Sequence, residues 1–243
     1  MTVKQGPYIF IDRNNLAEAD FISRNFVNKE IRNRAFINTL GAEALIKYLT
    51  TENVNLKNVR NIHSVARILE YVDIADIMMP NIHIDVRVVF DENQIFIPKS
   101  HFEYEIQPDI YVVLKLGTNF EYFELMGFFE PRSLNMSHEN SQYYFYENYK
   151  LSSPGHLVKF IKTYARRAPE SISEEELLRG RELSVNLADH DITENEFKTL
   201  LQLMASSSEL RDSILEYDNF ETLSHRVAPI LGDDVTSSAR PIQ

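Results

Sequence analysis

The chain has 243 residues, of which 44% are hydrophobic and 25% are charged, and this balance is enough for a globular protein with a sizeable core. It contains no cysteine, which excludes disulfides, thiolate catalysis and cysteine-ligated zinc. No apolar run reaches membrane-spanning length and none follows Met1, so we expect neither a membrane anchor nor a signal peptide, and we predict a cytoplasmic location.

The first third of the chain is predicted to be mainly helical. Residues 8–11 form a short apolar run that fits an edge strand. No proline occurs between Leu16 and Thr51, and apolar residues recur there at helical spacing, which predicts two helices or one bent helix. Residues 64–71 fit a helix and a strand equally well, and both interpretations stay open.

The middle of the chain is predicted to form an antiparallel sheet, because apolar residues occupy every second position. The predicted strands are residues 82–88, 94–97, 110–116, 121–129 and 143–146. A polar turn separates the first two, so we expect them to form a hairpin, and the next two continue it as a meander. Gly127 marks a possible bulge in the fourth strand.

Helices are predicted again after residue 155. One covers residues 156–167, and hydroxyl–carboxylate pairs at capping-box spacing mark the starts of later helices. These pairs are Ser171 with Glu174, Ser173 with Glu176, and Thr193 with Glu196. Short helices are predicted at 209–216 and 220–230, and residues 232–243 lack apolar periodicity and are predicted to be disordered.

These elements predict an α+β fold in which N-terminal helices pack on an antiparallel sheet of about four to five strands, followed by an all-helical acidic segment. The predicted divisions are an α+β domain at residues 1–167, an acidic helical segment at 168–231 and a tail at 232–243. The charge distribution supports the first boundary, because the acidic excess begins there.

The net charge of −11 is concentrated in the C-terminal third. Residues 168–243 contain 16 acidic and 6 basic side chains, whereas residues 1–167 contain 20 acidic and 19 basic ones. An acidic surface repels phosphate backbones and attracts basic surfaces. We therefore expect another protein, of basic character, as the partner, and we expect neither nucleic acid nor a membrane. The alternative is a solvated acidic surface that binds nothing.

The polar side of the first predicted sheet strand is a candidate site, with His83, Asp85 and Arg87 on one face. Together with Lys99 and His101, which are near in sequence, these residues could form a polar pocket. Histidine and aspartate on one face can act as an acid–base pair or as two metal ligands. The alternative is the solvent-exposed face of an antiparallel sheet, where polar residues normally alternate with apolar ones.

Asp109 follows Pro108 on the approach to a strand, as in nucleases that share a proline–aspartate motif. Metal-dependent cleavage in such enzymes also needs a second acid, with a lysine two residues after it. Here Lys150 follows Glu147 by three residues, so the signature is incomplete. We therefore expect no metal or other cofactor, and Asp109 is better explained as a carboxylate at the entry of a strand.

Lys159, Lys162 and Arg166 form a predicted basic stripe, because residues three and four apart are neighbours on a helix surface. The stripe could bind single-stranded nucleic acid together with the aromatic residues 143–146. It could instead dock on the acidic helices that follow. We favour docking, because it needs no ligand and explains why a basic segment precedes an acidic one.

Short segments in the first two thirds of the chain carry a resemblance to a known family. They are Arg34-Ala35-Phe36-Ile37-Asn38, Tyr48-Leu49, Ala75-Asp76-Ile77, Ile97-Pro98, Tyr111-Val112-Val113-Leu114 and Leu125-Met126-Gly127-Phe128. In these residues the chain resembles a largely cyanobacterial family catalogued as domain of unknown function number eighteen twenty-two. The resemblance spans about residues 20–165 and leaves the C-terminal helices outside. It implies no catalytic residues and supports only the division into domains.

The hypothesis that fits these observations is a non-enzymatic interaction or adaptor protein. Its N-terminal domain would be the scaffold, and its acidic helices would contact a partner or inhibit that contact. The first alternative is a metal-dependent hydrolase or nuclease that uses His83, Asp85, His101 or Asp109. The second alternative is single-stranded nucleic-acid binding through the basic stripe.

Overall fold

The structure, a computed structural model, describes residues 6–24, 28–56, 60–61, 75–79, 82–90, 94–147, 150–164, 172–189, 191–207 and 209–210. The predicted elements at 64–71 and 220–230, most of the one at 209–216, and the tail at 232–243 lie outside these ranges. Within them the helices are α1 (Arg13–Ser23), α2 (Lys29–Thr51), α3 (Ser100–Glu103), α4 (Pro154–Thr163), α5 (Glu174–Ala188) and α6 (Glu194–Ser206). The strands are β1 (Tyr8–Phe10), β2 (Arg60–Asn61), β3 (Ile77–Met79), β4 (Ile82–Val89), β5 (Gln94–Pro98), β6 (Ile110–Leu116), β7 (Tyr122–Phe129) and β8 (Tyr143–Glu147).

Six strands form one sheet in the order β1-β7-β6-β4-β3-β2, and β5 pairs with β8 in a separate ribbon. Neighbours are antiparallel except β4 and β6, which run parallel. The α+β class is confirmed, but the predicted hairpin of β4 with β5 and the simple meander are wrong. Alternation identifies a strand without identifying its partner. The chain between β4 and β6 is long enough for the crossover that a parallel pair requires.

Helices α1, α2 and α4 cover one face of the six-stranded sheet, as predicted for the N-terminal helices. The largest core cluster lies here and contains apolar residues of all three helices and of strands β1, β3, β4, β6 and β7. Gly41 allows α2 to approach β4 closely, because a Cβ at this position would lie 2.7 Å from Cγ2 of Val88.

The β5–β8 ribbon covers part of the opposite face of the sheet. Tyr146 of β8 stacks on Phe129 of β7 with ring centroids 3.8 Å apart, and Phe129 stacks on Tyr111 of β6 at 5.0 Å. The predicted bulge at Gly127 is confirmed by a shift in the β6–β7 register and by its φ of 148°. A Cβ on Gly127 would lie 2.3 Å from the carbonyl oxygen of Ser152, so this position requires glycine.

The C-terminal helices α5 and α6 pack on one another, and their predicted starts are confirmed. Ser173 with Glu176 and Thr193 with Glu196 form complete capping boxes, in which the hydroxyl accepts from the third amide and the carboxylate accepts from the cap amide. The third predicted pair is not described, because Ser171 lies outside the described residues.

The α5–α6 pair also contacts the segment after α3. Tyr104 meets Phe197 edge to face with centroids 6.0 Å apart, and Nζ of Lys198 lies 2.6 Å from Oε1 of Glu105. Ile106 joins the same apolar cluster. The division of the chain at residue 167 stays a prediction. In the part of the chain that the structure describes, no helix has the length and apolar character needed to cross a bilayer.

Candidate functional site

The polar residues of β4 lie inside the protein. Asp85 is fully buried, His83 is 3% exposed, and the Arg87 side chain is 14% exposed. The interpretation that they form a solvent-exposed sheet face is therefore wrong. Tyr111 and Val113, on the neighbouring strand β6, belong to the apolar cluster beneath the β5–β8 ribbon, so this side of the sheet is an interior surface.

Three of the predicted residues meet here and are joined by one that was not predicted. The Arg87 guanidinium donates to the Asp85 carboxylate at 2.5 Å, and Nε2 of the fully buried His101 lies 3.9 Å from Oδ2 of Asp85. The Tyr111 hydroxyl is 2.7 Å from Nδ1 of His101, and their rings stack at 5.8 Å. We call these four residues the Asp85 cluster.

Sequence reasoning missed Tyr111 because its partner is not local. The residue belongs to an apolar strand, and only the parallel pairing of β4 with β6 places it beside Asp85. Arg87 then lies over its ring, with Cζ 5.9 Å from the centroid, which is a cation–π geometry. The only signal for Tyr111 in the sequence was its position in Tyr111-Val112-Val113-Leu114, one of the segments that carry the resemblance to the family.

The Asp85 cluster combines groups that can transfer protons, but these groups are enclosed by protein. A phenol, an imidazole and a carboxylate in series are suited to acid–base chemistry when a substrate can reach them. Here Asp85, His101 and Tyr111 are each 0% exposed. A buried carboxylate paired with a guanidinium and a hydrogen-bonded phenol–imidazole pair instead hold β4, β6 and α3 in one arrangement. Among the described residues, no group of three or more His, Cys, Asp or Glu side chains is placed to hold a metal ion.

Asp109 has a different position, at the start of β6. Its Oδ2 accepts from the backbone N–H of His83 at 2.7 Å, and its Oδ1 accepts from the Tyr164 hydroxyl at 3.1 Å. Asp76 acts in the same way on the other side of β4 and accepts from the Val86 N–H at 2.6 Å. Both carboxylates continue the backbone hydrogen bonding of the sheet beyond the end of a neighbouring strand.

The predicted basic stripe lies on the exposed side of α4. Lys159 and Lys162 are exposed, and Nζ of Lys162 donates to the Glu52 carbonyl at 2.9 Å, near the end of α2. Arg166 lies outside the described residues. In the described part of the chain neither lysine forms an ion pair with an acid of α5 or α6. Docking on the acidic segment stays a prediction, because Arg166 and most of residues 209–231 lie outside the described ranges.

The solvent side of α5 combines exposed apolar and acidic side chains. Leu178 and Val185 are each 58% exposed and lie two turns apart on one side of the helix. Gly180, Leu183 and Leu187 are buried on the other side. The acids on the exposed side are Glu174, Glu175, Glu182 and Asp189. We call Leu178, Val185 and these four acids the α5 stripe.

The basic residues next to the α5 stripe pair with one of its acids, Glu182, and with two acids outside it. Nη1 of Arg179 lies 2.7 Å from Glu182, and its Nη2 lies 3.1 Å from Glu196. Arg181 reaches to 4.0 Å from Glu209. Because the stripe has four acids and these contacts engage only Glu182 among them, the stripe keeps a net negative charge.

Two capping carboxylates add to this acidic character. The Ser173 N–H and hydroxyl donate to Glu176 at 2.7 and 2.8 Å, and these hydrogen bonds lower the pKa of Glu176. The Thr193 N–H and hydroxyl lower the pKa of Glu196 in the same way, with a further contribution from Arg179. A hydrogen bond to the charged form favours that form, so both groups stay ionised into more acidic solution.

Comparison with known proteins gives one family. The family described as Protein of unknown function (DUF1822) matches residues 9–226. This range extends the resemblance predicted from the sequence at both ends and includes the C-terminal helices α5 and α6, so the expectation that they lie outside is wrong. No curated protein and no solved structure matches the chain. Since the match covers most of its length, the chain belongs to the DUF1822 family of proteins of unknown function.

Proposed function

We propose that the protein is a non-enzymatic interaction module that binds a basic partner protein through the α5 stripe. The observation that carries the proposal is the exposure of Leu178 and Val185, 58% each, on a helix whose opposite side is packed. A surface helix normally keeps its apolar residues on the buried side. Helix α5 has apolar residues on both sides, so the side with Leu178 and Val185 is left for another molecule to cover.

The chemistry of the stripe defines the partner. Two apolar side chains two turns apart fit the spacing at which an amphipathic helix presents its own apolar residues. The surrounding acids, with Glu182 at 61% exposure, favour lysine and arginine at the margins of that partner. The occupant that fits best is therefore a basic amphipathic helix of another protein molecule.

The stripe is supported rigidly from behind, which reduces the entropy lost on binding. Gly180 allows Leu210 to approach α5 so closely that a Cβ on the glycine would lie 2.4 Å from Cδ2 of Leu210. Leu183 and Leu187 pack in the same cluster as Phe197 of α6. The capping box at Ser173 fixes the first turn of α5, which carries Glu174 and Glu175 of the stripe.

The alternatives have less support from the described residues. The Asp85 cluster has the components of an acid–base site, but it is enclosed. For single-stranded nucleic acid, stacking platforms need exposed rings beside cations. Tyr144 and Tyr146 of β8 instead pack in the apolar cluster between the ribbon and the six-stranded sheet. Tyr143 and Phe145 pack edge to face with Phe96 of β5.

The test is a titration of the full chain against two labelled synthetic peptides, followed by fluorescence anisotropy. One peptide carries leucines at helical spacing flanked by lysines, and the other carries glutamates in place of the lysines. We expect the basic peptide to bind, and the double substitution Leu178→Ser, Val185→Ser to weaken binding by about tenfold or more, which corresponds to about 1.4 kcal/mol.

The matched control is Phe21→Ser on α1, where the replaced side chain is 73% exposed and distant in sequence from the stripe. This control is expected to bind the basic peptide as the wild type does. Equal binding of both peptides, or equal binding by the double variant and the wild type, would contradict the proposal.

A further inference from the structure

Helix α4 presents a surface of opposite character to the α5 stripe. Its sequence contains no acidic residue. Its exposed residues are Gly155, His156, Lys159, Lys162 and Thr163. We call this set the α4 face. It has two lysines one turn apart, whereas the α5 stripe has four acids.

The shape of the α4 face also suits a helix. Gly155 has no side chain, and a Cβ there would meet only Oγ of Ser153, at 3.9 Å, so the first turn of α4 is open. Lysine stems are apolar along their methylene groups and can cover apolar side chains while the ammonium group stays in water. Lys159 and Lys162 can therefore contact Leu178 and Val185 and approach the neighbouring acids.

Within one chain the described residues of these two surfaces do not pair. Lys162 donates to the carbonyl of Glu52, directly after α2, and Glu182 and Glu196 pair with Arg179. Both the α4 face and the α5 stripe are therefore exposed on the same molecule. Complementary surfaces that do not meet within one molecule can meet between two.

We propose that the α4 face of one copy of the chain docks on the α5 stripe of a second copy. This inference rests on the proposed function of the α5 stripe and names its partner. The contact is heterologous, since each copy contributes a different surface. Unless the copies close into a ring, such a contact leaves one unused α4 face and one unused α5 stripe at the ends of an assembly, so further copies can add.

Electrostatics limit the strength of this contact. Each copy has a net charge of −11, so two copies repel each other at long range while the α4 face and the α5 stripe attract at short range. Salt screens exposed charges beyond a Debye length of about 8 Å at physiological ionic strength and about 3 Å at 1 M. The association is therefore weak, concentration-dependent and lost at high salt.

The experiment measures the mass of the full chain by light scattering and sedimentation at rising concentration, at low and at high ionic strength. At low salt the wild type is expected to rise with concentration from the mass of one chain, 28.3 kDa, to twice that value and beyond, and at high salt it is expected to stay at the mass of one chain. One variant, Lys159→Glu with Lys162→Glu, lacks the α4 face. A second variant, Glu175→Lys with Glu182→Lys, lacks the α5 stripe.

Each of these variants alone is expected to remain at the mass of one chain, and an equal mixture of the two is expected to associate. The mixture associates because the first variant retains the α5 stripe and the second retains the α4 face. The control is Arg13→Glu with Lys29→Glu, which makes the same charge change at exposed positions outside both surfaces and is expected to associate as the wild type does.

The outcomes separate this inference from the proposed function. A wild type that stays at the mass of one chain at every concentration and salt overturns the inference. Association that persists in both charge-reversed variants overturns it as well. If either result comes with normal binding of the basic peptide, the proposed function stands. If the wild type does not bind the basic peptide, both the inference and the proposed function are overturned.

Discussion

Charged residues have opposite roles in the Asp85 cluster and in the α5 stripe. Asp85 is 0% exposed beside Arg87, whereas Glu182 is 61% exposed although it also pairs with an arginine. A buried ion must keep its partner because both groups have lost their water. An exposed ion keeps its water, and its pairing adds little stability. The Asp85 cluster therefore fixes internal structure, and the charges of the α5 stripe remain available to another molecule.

The largest expected effect comes from removing the central carboxylate of the buried cluster. Asp85→Ala leaves the Arg87 guanidinium beneath the ribbon without this carboxylate, so the variant is expected to lose about 3–5 kcal/mol of unfolding free energy. Urea denaturation followed by circular dichroism measures the loss. Asp85→Asn retains the shape of the side chain and removes only its charge. It gives a second measurement of the loss in unfolding free energy if the alanine variant does not fold.

The matched control for this prediction is Asp20→Ala. It removes the exposed ion pair with Arg24, whose two side chains are 49% and 71% exposed. Its expected cost is at most about 1 kcal/mol. Similar losses in Asp85→Ala and Asp20→Ala would contradict the distinction between a buried structural cluster and a solvated surface.

Tyr111→Phe is expected to have an intermediate effect. The ring and its stacking remain, but Nδ1 of the buried His101 loses the hydroxyl 2.7 Å away, at a cost of about 1–3 kcal/mol. Tyr146→Phe is the matched control, because its hydroxyl donates to the carbonyl of Lys150 and accepts from the hydroxyl of Ser133, and both partners are exposed residues. Water can replace these two hydrogen bonds, so a smaller shift of the urea midpoint is expected. A larger shift in the control would show that the phenol–imidazole pair is not important for stability.

Local signals in the sequence were sufficient for many elements of the fold, although the strand β2 and the helix α3 were not predicted. The capping boxes at Ser173 and Thr193, the bulge at Gly127 and the aromatic strand β8 depend on neighbouring residues, and these were predicted correctly. The strand partners could not be predicted in the same way. β5 pairs with β8, although α3, β6 and β7 lie between them in the sequence. Asp85 of β4 is paired with Tyr111 of β6 in a parallel register.

The candidate site illustrates the same limit. His83, Asp85 and Arg87 were correctly placed on one strand, but their side of the sheet was taken as exposed because the covering ribbon was assigned to the wrong partner. The α5 stripe, in contrast, had a local signal. Leu178 and Val185 lie on the side of the predicted helix that carries the acids, opposite Leu183 and Leu187, and this arrangement can be read from the sequence alone.

The capping box of α6 gives a smaller effect and a dependence on pH. Thr193→Ala is expected to cost about 1 kcal/mol, because the third amide of the helix loses its acceptor. The folded pKa of Glu196 lies below its unfolded value. Its contribution to stability is therefore complete above the unfolded pKa and is lost as the pH falls through the folded pKa.

A titration of the Glu196 carboxyl by NMR measures this directly. We expect its pKa to lie below the ordinary glutamate range in the wild type and to rise in Thr193→Ala. Thr199→Ala is the matched control, since its hydroxyl bonds only to a carbonyl within the helix and gives Glu196 no hydrogen bond. An unchanged titration of Glu196 in Thr193→Ala would exclude the capping hydroxyl as a cause of the lowered pKa.

The smallest effect on stability is expected for the α5 stripe itself. Leu178→Ser and Val185→Ser should each change the unfolding free energy by no more than about 0.5 kcal/mol, because both side chains already face water. Leu183→Ala, on the packed side of the same helix, should cost about 2–5 kcal/mol. Comparable losses on the two sides would show that the stripe is packed in solution. A loss confined to Leu183 would leave binding as the property that Leu178 and Val185 affect.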